Sequence, residues 1–155
     1  MKCLGLLLLL LGGCLTDVDF YAHGSAMLGT KFRANRSWYT AKHVQPDGES
    51  CGQDVVRLGP ADKHGMNITL ARPVLFEHVE VLLASWPGNS KSLHGIVVEN
   101  DVSDGFVVLF LDARVFPGCS GSPVLDSTGW VFGVLSALNV YEPRYAFVGV
   151  FEALK

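Results

Sequence analysis

The apolar residues of this chain occur in short runs rather than in long amphipathic stretches. From Phe20 onward the runs are rich in Val, Leu and Phe, and clusters of Gly, Pro, Asn and Asp separate them. Such runs between turn residues are typical of β-strands, and no stretch shows a convincing 3.6-residue helical period. We therefore predict an all-β chain with little helix. The predicted strands are residues 25–32, 37–40, 55–58, 79–84, 95–99, 106–111, 122–125, 131–137 and 145–150.

The spacing of the turns limits the architecture but does not decide it. Turn signals recur about every 8 to 12 residues, which suits either a β-sandwich or a β-barrel. The 155 residues are enough for one compact domain or for two small subdomains that share a core. The nearest thing to a boundary is the Pro-Gly-Asn-Ser turn at residues 87–90. We place a division there, with one half at about 20–86 and the other at about 87–155.

The N-terminus has the composition of a targeting segment. Met1 and Lys2 precede an unbroken run of leucines at residues 6–11. The run is too short to cross a bilayer, since a spanning helix needs about 20 apolar residues. We therefore predict that residues 1–13 are a signal peptide and that residues 14–155 form the mature, exported chain.

The end of the leader predicts where the mature chain is held. Leu11-Gly12-Gly13-Cys14 resembles the lipobox of bacterial lipoproteins, in which the cysteine is lipidated and becomes the new N-terminus. This resemblance implies a lipid anchor on Cys14 and attachment to a bacterial membrane, in the periplasm or at the outer membrane. The alternative is an ordinary secretory signal cut near Gly13, which would give a secreted protein.

The charge of the chain argues against one class of partner. The formal net charge is −3, and the sequence contains no run of Lys or Arg. A nucleic-acid-binding protein needs a basic surface to neutralise phosphates. We therefore expect no nucleic acid partner, and we predict neither a metal nor a cofactor.

The segment at residues 117–123 has the composition of a catalytic serine turn. Gly118 and Gly121 flank Ser120, and apolar runs lie on both sides of the segment. Gly118 permits backbone torsions that direct its own N–H and that of Ser120 towards one point, where both would stabilise an oxyanion. A lone Gly-x-Ser-Gly is more often a β-turn with a chance serine, so the longer context has to decide.

The longer context is that of a known family. Gly118-Cys119-Ser120-Gly121-Ser122-Pro123 resembles the Gly-x-Ser-Gly-Gly/Ser-Pro signature of chymotrypsin-like serine proteases. The flanking segments are similar to the bacterial high-temperature-requirement branch and to small viral relatives. The resemblance implies two antiparallel β-barrels of the six-stranded type, shortened here. It also implies a serine endopeptidase that cleaves protein or peptide substrates through an acyl-enzyme on Ser120.

The same family supplies a candidate base and a candidate acid. Thr40-Ala41-Lys42-His43 resembles the Thr-Ala-x-His box, which implies that His43 is the general base. Residues 53–58 resemble the strand that begins with the family's aspartate, which implies that Asp54 orients the histidine. Only ten residues separate His43 from Asp54, fewer than in relatives, so Asp62 remains the alternative acid.

Resemblance also assigns the substrate strand. Residues 133–138 resemble the family's strand that pairs with extended peptide, which implies that Ser136, Ala137 and Leu138 bind substrate. Cys119 stands where zymogen-type members have an aspartate that pairs with a new N-terminus, so that activation mechanism is unavailable. Cys51 and Cys119 are either a disulfide or two buried thiols.

Two other functions compete with the protease. The first is a catalytically inactive member of the fold that acts as a surface-anchored binding module, and the short His43 to Asp54 spacing is its main support. The second is a structural lipoprotein of β-sandwich form, which would require both motifs to be coincidences.

Overall fold

The computed structural model describes residues 17–23, 27–84, 91–100, 106–113, 115, 117–138 and 144–152. These residues form eleven strands and one short 3₁₀ helix. The strands are β1 Val18–His23, β2 Met27–Ala34, β3 Ser37–Ala41, β4 Glu49–Gly52, β5 Val55–Pro60, β6 His78–Leu83, β7 Lys91–Glu99, β8 Phe106–Leu111, β9 Pro123–Leu125, β10 Val131–Leu138 and β11 Tyr145–Val150, and the 3₁₀ helix is Pro117–Cys119. All nine predicted strands are present, and β1 and β4 are additional.

The strands form two antiparallel units. The first is a five-stranded sheet with the order β1-β2-β3-β5-β4, and the second is a closed six-stranded barrel with the order β10-β11-β8-β7-β6-β9. The all-β prediction is therefore confirmed. Among the described residues the first unit has five strands, one fewer than the family's barrel implies.

The predicted division of the chain is displaced. Strand β6 pairs with β7 and β9, so it belongs to the second barrel rather than to the first unit. The boundary therefore falls in the connector of residues 61–77, and not near residues 87–90. Residues 85–90 lie outside the described part of the chain, but they join two paired strands of one barrel. A connection between paired strands and a domain linker have similar Pro, Gly and Asn composition, so the sequence could not separate them.

The buried apolar residues form two clusters, one inside the closed barrel and one on the first sheet that also includes Val131 and Val134 of β10. In β8 the side chains of Val107, Leu109 and Leu111 are fully buried and alternate with half-buried ones, as the two-residue period of a strand requires. They belong to the core of the closed barrel. The core of the first sheet contains Phe32 and Val55.

One residue of the C-terminal segment ties the two units together. Phe151 follows the last strand of the closed barrel, yet its ring packs edge-on against Tyr39 and Phe32 in the first core, with centroid separations of 5.2 and 6.4 Å. Phe151 also forms a β-bridge to Gly52 at the end of β4. The segment after β11 is therefore shared by both units.

Candidate active site

The ends of two paired strands bring His43 and Asp54 together. Ala41, the last residue of β3, is paired with Val55, the first residue of β5. The residues just beyond this pair therefore face each other, and the Lys42 amide donates to the Asp54 carbonyl at 2.9 Å. His43 Nδ1 lies 2.7 Å from Asp54 Oδ2, and the His43 amide donates to Asp54 Oδ1 at 3.0 Å.

The same pairing explains why ten residues are enough between the two side chains. Strand β4 forms a hairpin with β5 through Gln53 and Asp54, and β5 returns directly beside β3. Strand β4 is the only strand between His43 and Asp54. The short spacing, which was the main argument against Asp54, is therefore a property of this tight hairpin.

The second barrel fixes the turn that carries Asp54. Asp54 has a φ of 57°, a left-handed conformation that aspartate tolerates better than most residues. The Gln53 amide donates to the Val150 carbonyl at 3.2 Å, and the backbone of Gly149 approaches so closely that an added Cβ would overlap the Gln53 carbonyl oxygen. A glycine is required at residue 149 because the turn packs directly on β11.

The alternative acid lies elsewhere. Asp62 Oδ1 accepts from Arg33 Nη1 at 2.6 Å, and its side chain is 76% exposed. Arg33 also binds Asp17, so Asp62 belongs to an ion-pair group beside the connector. The structure places Asp54, and not Asp62, against His43.

Ser136 joins the acid to the serine. Its hydroxyl donates a short hydrogen bond to Asp54 Oδ2, and its carbonyl oxygen lies 3.4 Å from Ser120 Oγ. Ser136 is buried on β10, where the register with β11 shifts between Leu135 and Ala137. Sequence reasoning assigned Ser136 to substrate binding and missed its contact with the acid, because a cross-barrel contact leaves no local pattern.

Ser120 is held at the junction of the two units. The Thr30 amide donates to the Ser120 carbonyl at 2.7 Å, and the Gly121 amide donates to the Leu135 carbonyl at 2.8 Å. Among the described residues, the hydrogen-bond partner of the Ser120 hydroxyl is the Ser136 carbonyl. Ser136 is thus the common neighbour of Ser120 and of Asp54, which in turn binds His43.

The turn before Ser120 differs from the predicted oxyanion hole. In a 3₁₀ helix each amide donates to the carbonyl three residues earlier, so the helix Pro117–Cys119 engages the Ser120 amide with the Pro117 carbonyl. The Gly118 carbonyl accepts from Thr30 Oγ1 at 2.9 Å. In this conformation Gly118 and Ser120 do not offer two amides to one point. Rotation of the peptide between Pro117 and Gly118 would release the Ser120 amide and leave the Thr30 contact in place.

The electrostatics of the pair suit a base held by an acid. The hydrogen bond that His43 donates to Asp54, opposed by partial burial and reinforced by the Asp54 charge, raises the pKa of His43 above its usual value. Burial alone would raise the pKa of Asp54, but the hydrogen bonds from His43 and Ser136 together lower it. The His43 side chain is 44% exposed and the Asp54 side chain 17%, so the imidazole is open to solvent while the carboxylate is covered.

Comparison with solved structures identifies the fold. A serine-to-alanine mutant of Rv3671c from M. tuberculosis, in its inactive form, gives a TM-score of 0.68 at 16% identity, over 90% of this chain and 83% of that one. The catalytically active tobacco etch virus protease gives 0.65 at 13% identity, over 88% and 73%. The thermostable serine protease AL20 from an extremophilic microorganism gives 0.62 at 14% identity, over 86% and 89%.

The chain has the chymotrypsin-like fold. The fold prediction is therefore confirmed, while identities below 20% carry no residue-level conclusion. No family model matches the sequence, and no curated protein is similar to it.

The chymotrypsin-like fold leaves a backbone edge beside the site. Strand β9 pairs with β10 only at Val131, Gly133 and Val134. Within the described residues, the same edge of β10 has no strand partner from Ser136 to Leu138. Ala137 and Leu138 lie in the strand as predicted, but their side chains lie outside the described part.

The two cysteine thiols described in this chain lie in different hydrophobic clusters. Cys51 packs against the core of the first sheet, and Cys119 belongs to the core of the closed barrel. They do not form a disulfide with each other. Burial, with a smaller contribution from Glu49, raises the pKa of Cys51 to about 12, so this thiol stays protonated at neutral pH.

The predicted leader and the predicted anchor Cys14 lie outside the described residues. No helix among the described residues is long and apolar enough to cross a lipid bilayer.

Proposed function

We propose that this chain is a serine endopeptidase in which Ser120 attacks the peptide carbonyl, His43 is the general base and Asp54 orients the imidazole. One observation carries the proposal. Asp54 binds His43 Nδ1 with one oxygen and the Ser136 hydroxyl with the same oxygen, while the Ser136 carbonyl lies beside the Ser120 hydroxyl. Contacts from the first sheet and from the closed barrel thus connect His43, through Asp54 and Ser136, with Ser120.

The proposed reaction has two half-reactions with the same groups. Ser120 Oγ bonds to the carbonyl carbon as its proton passes to His43 Nε2, and Asp54 stabilises the imidazolium through Nδ1–H. The imidazolium then protonates the leaving amine as the peptide C–N bond breaks, which leaves an acyl-enzyme on Ser120. Water attacks the ester in the same way, and its proton returns through His43 to Ser120.

Two local rearrangements precede the chemistry. The Ser120 hydroxyl rotates from the Ser136 carbonyl towards His43 Nε2. The peptide between Pro117 and Gly118 turns over, so that the amides of Gly118 and Ser120 face the developing oxyanion. Glycine at residue 118 makes this rotation inexpensive because it has no Cβ to clash.

The substrate class follows from the free edge of β10. An extended protein or peptide segment adds to an unpaired strand edge through main-chain hydrogen bonds. Within the described part of the chain, Ser136 to Leu138 present such an edge next to Ser120.

One observation favours a second candidate function, an inactive binding module with the same fold. The 3₁₀ helix Pro117–Cys119 engages the Ser120 amide, and a chain that never left this conformation would not stabilise an oxyanion. Such a protein would still bind an extended peptide along β10.

A fluorophosphonate probe distinguishes the two candidates, because it labels only an activated serine. We expect labelling of the chain from residue 14 onward, and loss of labelling in Ser120→Ala and in His43→Ala. Ser92→Ala and His94→Ala are the matched controls, since both residues lie on β7, and they should label like the parent.

Two outcomes contradict the protease. A parent chain that unfolds cooperatively but is not labelled supports the binding module. Labelling that persists in Ser120→Ala shows that another nucleophile reacts.

We also propose that Cys14 is lipidated and holds the protein at a bacterial membrane. The support is the lipobox resemblance of residues 11–14. Cys14→Ser should move the protein from the membrane fraction to the soluble fraction of expressing cells. An unchanged distribution together with a cleaved leader would indicate an ordinary secretory signal.

A further inference from the structure

Most of the large exposed apolar side chains in the described part of the chain lie on two segments. Seven large hydrophobic residues are exposed among the described residues, and five of them lie on the connector and on the turn between β9 and β10. Their exposed fractions run from 45% for Trp130 to 69% for Phe76. We call these five residues the apolar patch: Leu70, Val74, Leu75, Phe76 and Trp130.

Backbone and side-chain bonds join the two segments of the apolar patch. The Thr69 amide donates to the Val131 carbonyl at 2.9 Å, which joins the connector just before Leu70 to the start of β10 just after Trp130. Ser127 donates to Glu77 Oε2 through its hydroxyl at 2.8 Å and through its amide at 3.0 Å. The five side chains therefore lie on neighbouring, connected segments.

The turn that carries Val74, Leu75 and Phe76 is firmly held although its side chains are in water. Phe76 has a φ of 66°, a conformation that bulky residues rarely adopt. Its amide donates to the Val97 carbonyl at 2.7 Å, and Glu77 Oε1 accepts from the Val74 amide at 3.1 Å. A firmly held turn with three consecutive exposed apolar side chains is a preformed contact surface.

The apolar patch lies close to the point where the described chain begins. The Arg33 amide donates to the Asp17 carbonyl at 2.7 Å, and the Arg33 carbonyl accepts from the Met66 amide at 2.9 Å. Asn67 follows Met66, and its carbonyl accepts from the Val131 amide at 2.8 Å, next to Trp130. Cys14 precedes Asp17 by three residues, which span at most about 11 Å. A lipid on Cys14 would therefore be attached within about 11 Å of Asp17, which the bonds of Arg33 and Met66 link to the connector that carries most of the patch.

The candidate active site lies at the opposite end of the same strands. Along β10, Trp130 precedes Ser136 by six residues, or about 20 Å of extended strand. In the first sheet, Ser37 lies at the connector end of β3 and Ala41 lies at the end that leads to His43. A surface that covered the apolar patch would leave the site open.

We propose that the apolar patch docks on the surface of a lipid bilayer and holds the catalytic face away from it. The patch projects outward, so it suits a deformable surface better than a cleft in a partner. Trp130 is the residue type that prefers the interface between water and acyl chains. Glu77 and Asp126 lie beside the patch and bind the hydroxyls of Ser127 and Thr128, so the contact is apolar rather than electrostatic. The contact does not require a lipid on Cys14. A lipid there would only hold the protein close to the bilayer.

Co-sedimentation with phosphatidylcholine vesicles tests the contact without the anchor. The protein is the chain from residue 14 with Cys14→Ser and Ser120→Ala, so neither lipidation nor proteolysis contributes. We expect it to bind the vesicles, and Phe76→Ser or Leu75→Ser should each weaken partitioning by about tenfold. Phe20→Ser is the matched control, because Phe20 is an exposed phenylalanine outside the patch, and its partitioning should equal that of the parent. Added phosphatidylglycerol should not increase binding.

Three results would overturn the proposal. The parent fails to bind vesicles, or all the variants bind equally, or sedimentation equilibrium shows a dimer that Phe76→Ser converts to a monomer. The last result would assign the patch to a second copy of the chain. Since every variant carries Ser120→Ala, failure here leaves the proposed protease untouched.

Discussion

Asp54 is the residue whose charge the proposed mechanism depends on most directly. It contacts His43 and Ser136 through its carboxylate, and its amide analogue would keep the shape of the side chain while removing the charge. We expect Asp54→Asn to lower kcat for peptide cleavage by about 10⁴, because the imidazolium loses its partner and the tautomer is no longer fixed. Asp62→Asn is the matched control and should leave kcat unchanged, since Asp62 binds Arg33. Equal losses in both variants would contradict the assignment.

The protonation of His43 sets the expected pH dependence. Only the neutral imidazole accepts the Ser120 proton, and Asp54 raises the pKa of His43. The value of kcat/KM should therefore rise with pH through a midpoint above about 6.5, the ordinary histidine pKa. In Asp54→Asn the midpoint of the residual activity should move down, because the bond and the charge that raise the pKa are gone. A midpoint that stays in place would assign the titration to another group.

Thr30 is a positioning residue for the serine turn. Its hydroxyl donates to the Gly118 carbonyl, and its amide donates to the Ser120 carbonyl. Thr30→Val keeps the shape and the amide bond but leaves the Gly118 carbonyl without this donor. We expect the rate of fluorophosphonate labelling to fall about tenfold, the effect of one lost buried hydrogen bond. Thr69→Val should label at the parental rate, since Thr69 Oγ1 accepts from the Ala71 amide within the exposed connector.

At the scale of elements, the close contact between β11 and the turn that joins β4 to β5 leaves no room for a side chain at residue 149. Gly149→Ala would push a methyl group into the Gln53 carbonyl and displace the turn that holds Asp54. We expect stability to fall by about 1–3 kcal/mol and kcat to fall as well, because the acid moves relative to His43. Urea unfolding and peptide cleavage measure the two effects.

Gly95→Ala provides the matched control for that substitution. Its added Cβ would overlap the Phe110 carbonyl oxygen on the far strands of the closed barrel. It should cost similar stability while kcat of the folded protein stays at the parental value. A normal kcat in Gly149→Ala would show that the turn tolerates displacement.

The elements that the sequence did not predict share one property. Strands β1 and β4 are the two edges of the first sheet. An edge strand has a neighbour on one side only and buries less, so its apolar pattern is weak, and all four residues of β4 are at least partly exposed. The interior strands, such as β8 with its fully buried Val107 and Leu109, were predictable because burial imposes alternation.

At the scale of the whole molecule, Phe151 couples the two units. Phe151→Ala removes a ring that packs on Phe32 and Tyr39, so we expect it to cost about 3–5 kcal/mol. Phe147→Ala should cost less, because Phe147 lies half-buried against Phe106. Urea unfolding, monitored with two spectroscopic probes, measures the loss of unfolding free energy in both variants. A parent chain that unfolds in two separate steps would show that the units are not coupled.

The residues of the candidate site that stand in contiguous sequence motifs were predictable. The contacts that join the first sheet to the closed barrel were not. Ser120 and His43 stand in contiguous motifs, and Asp54 begins a recognisable strand. The bond from Ser136 to Asp54 joins residues 82 positions apart, so no pattern of neighbours encodes it. The 3₁₀ turn at Pro117–Cys119 was also missed, because the same glycine permits both orientations of the peptide.

The placement of the connector separates the chemistry into two portions of the chain. His43 and Asp54 both lie before residue 61, whereas Ser120 and Ser136 both lie after residue 77. If the chain were cut within residues 61–77, each of the two fragments would carry only part of the reacting groups. Neither fragment alone would cleave a peptide. Fused to two other proteins, they would make a complementation reporter whose peptide cleavage appears only when those proteins associate.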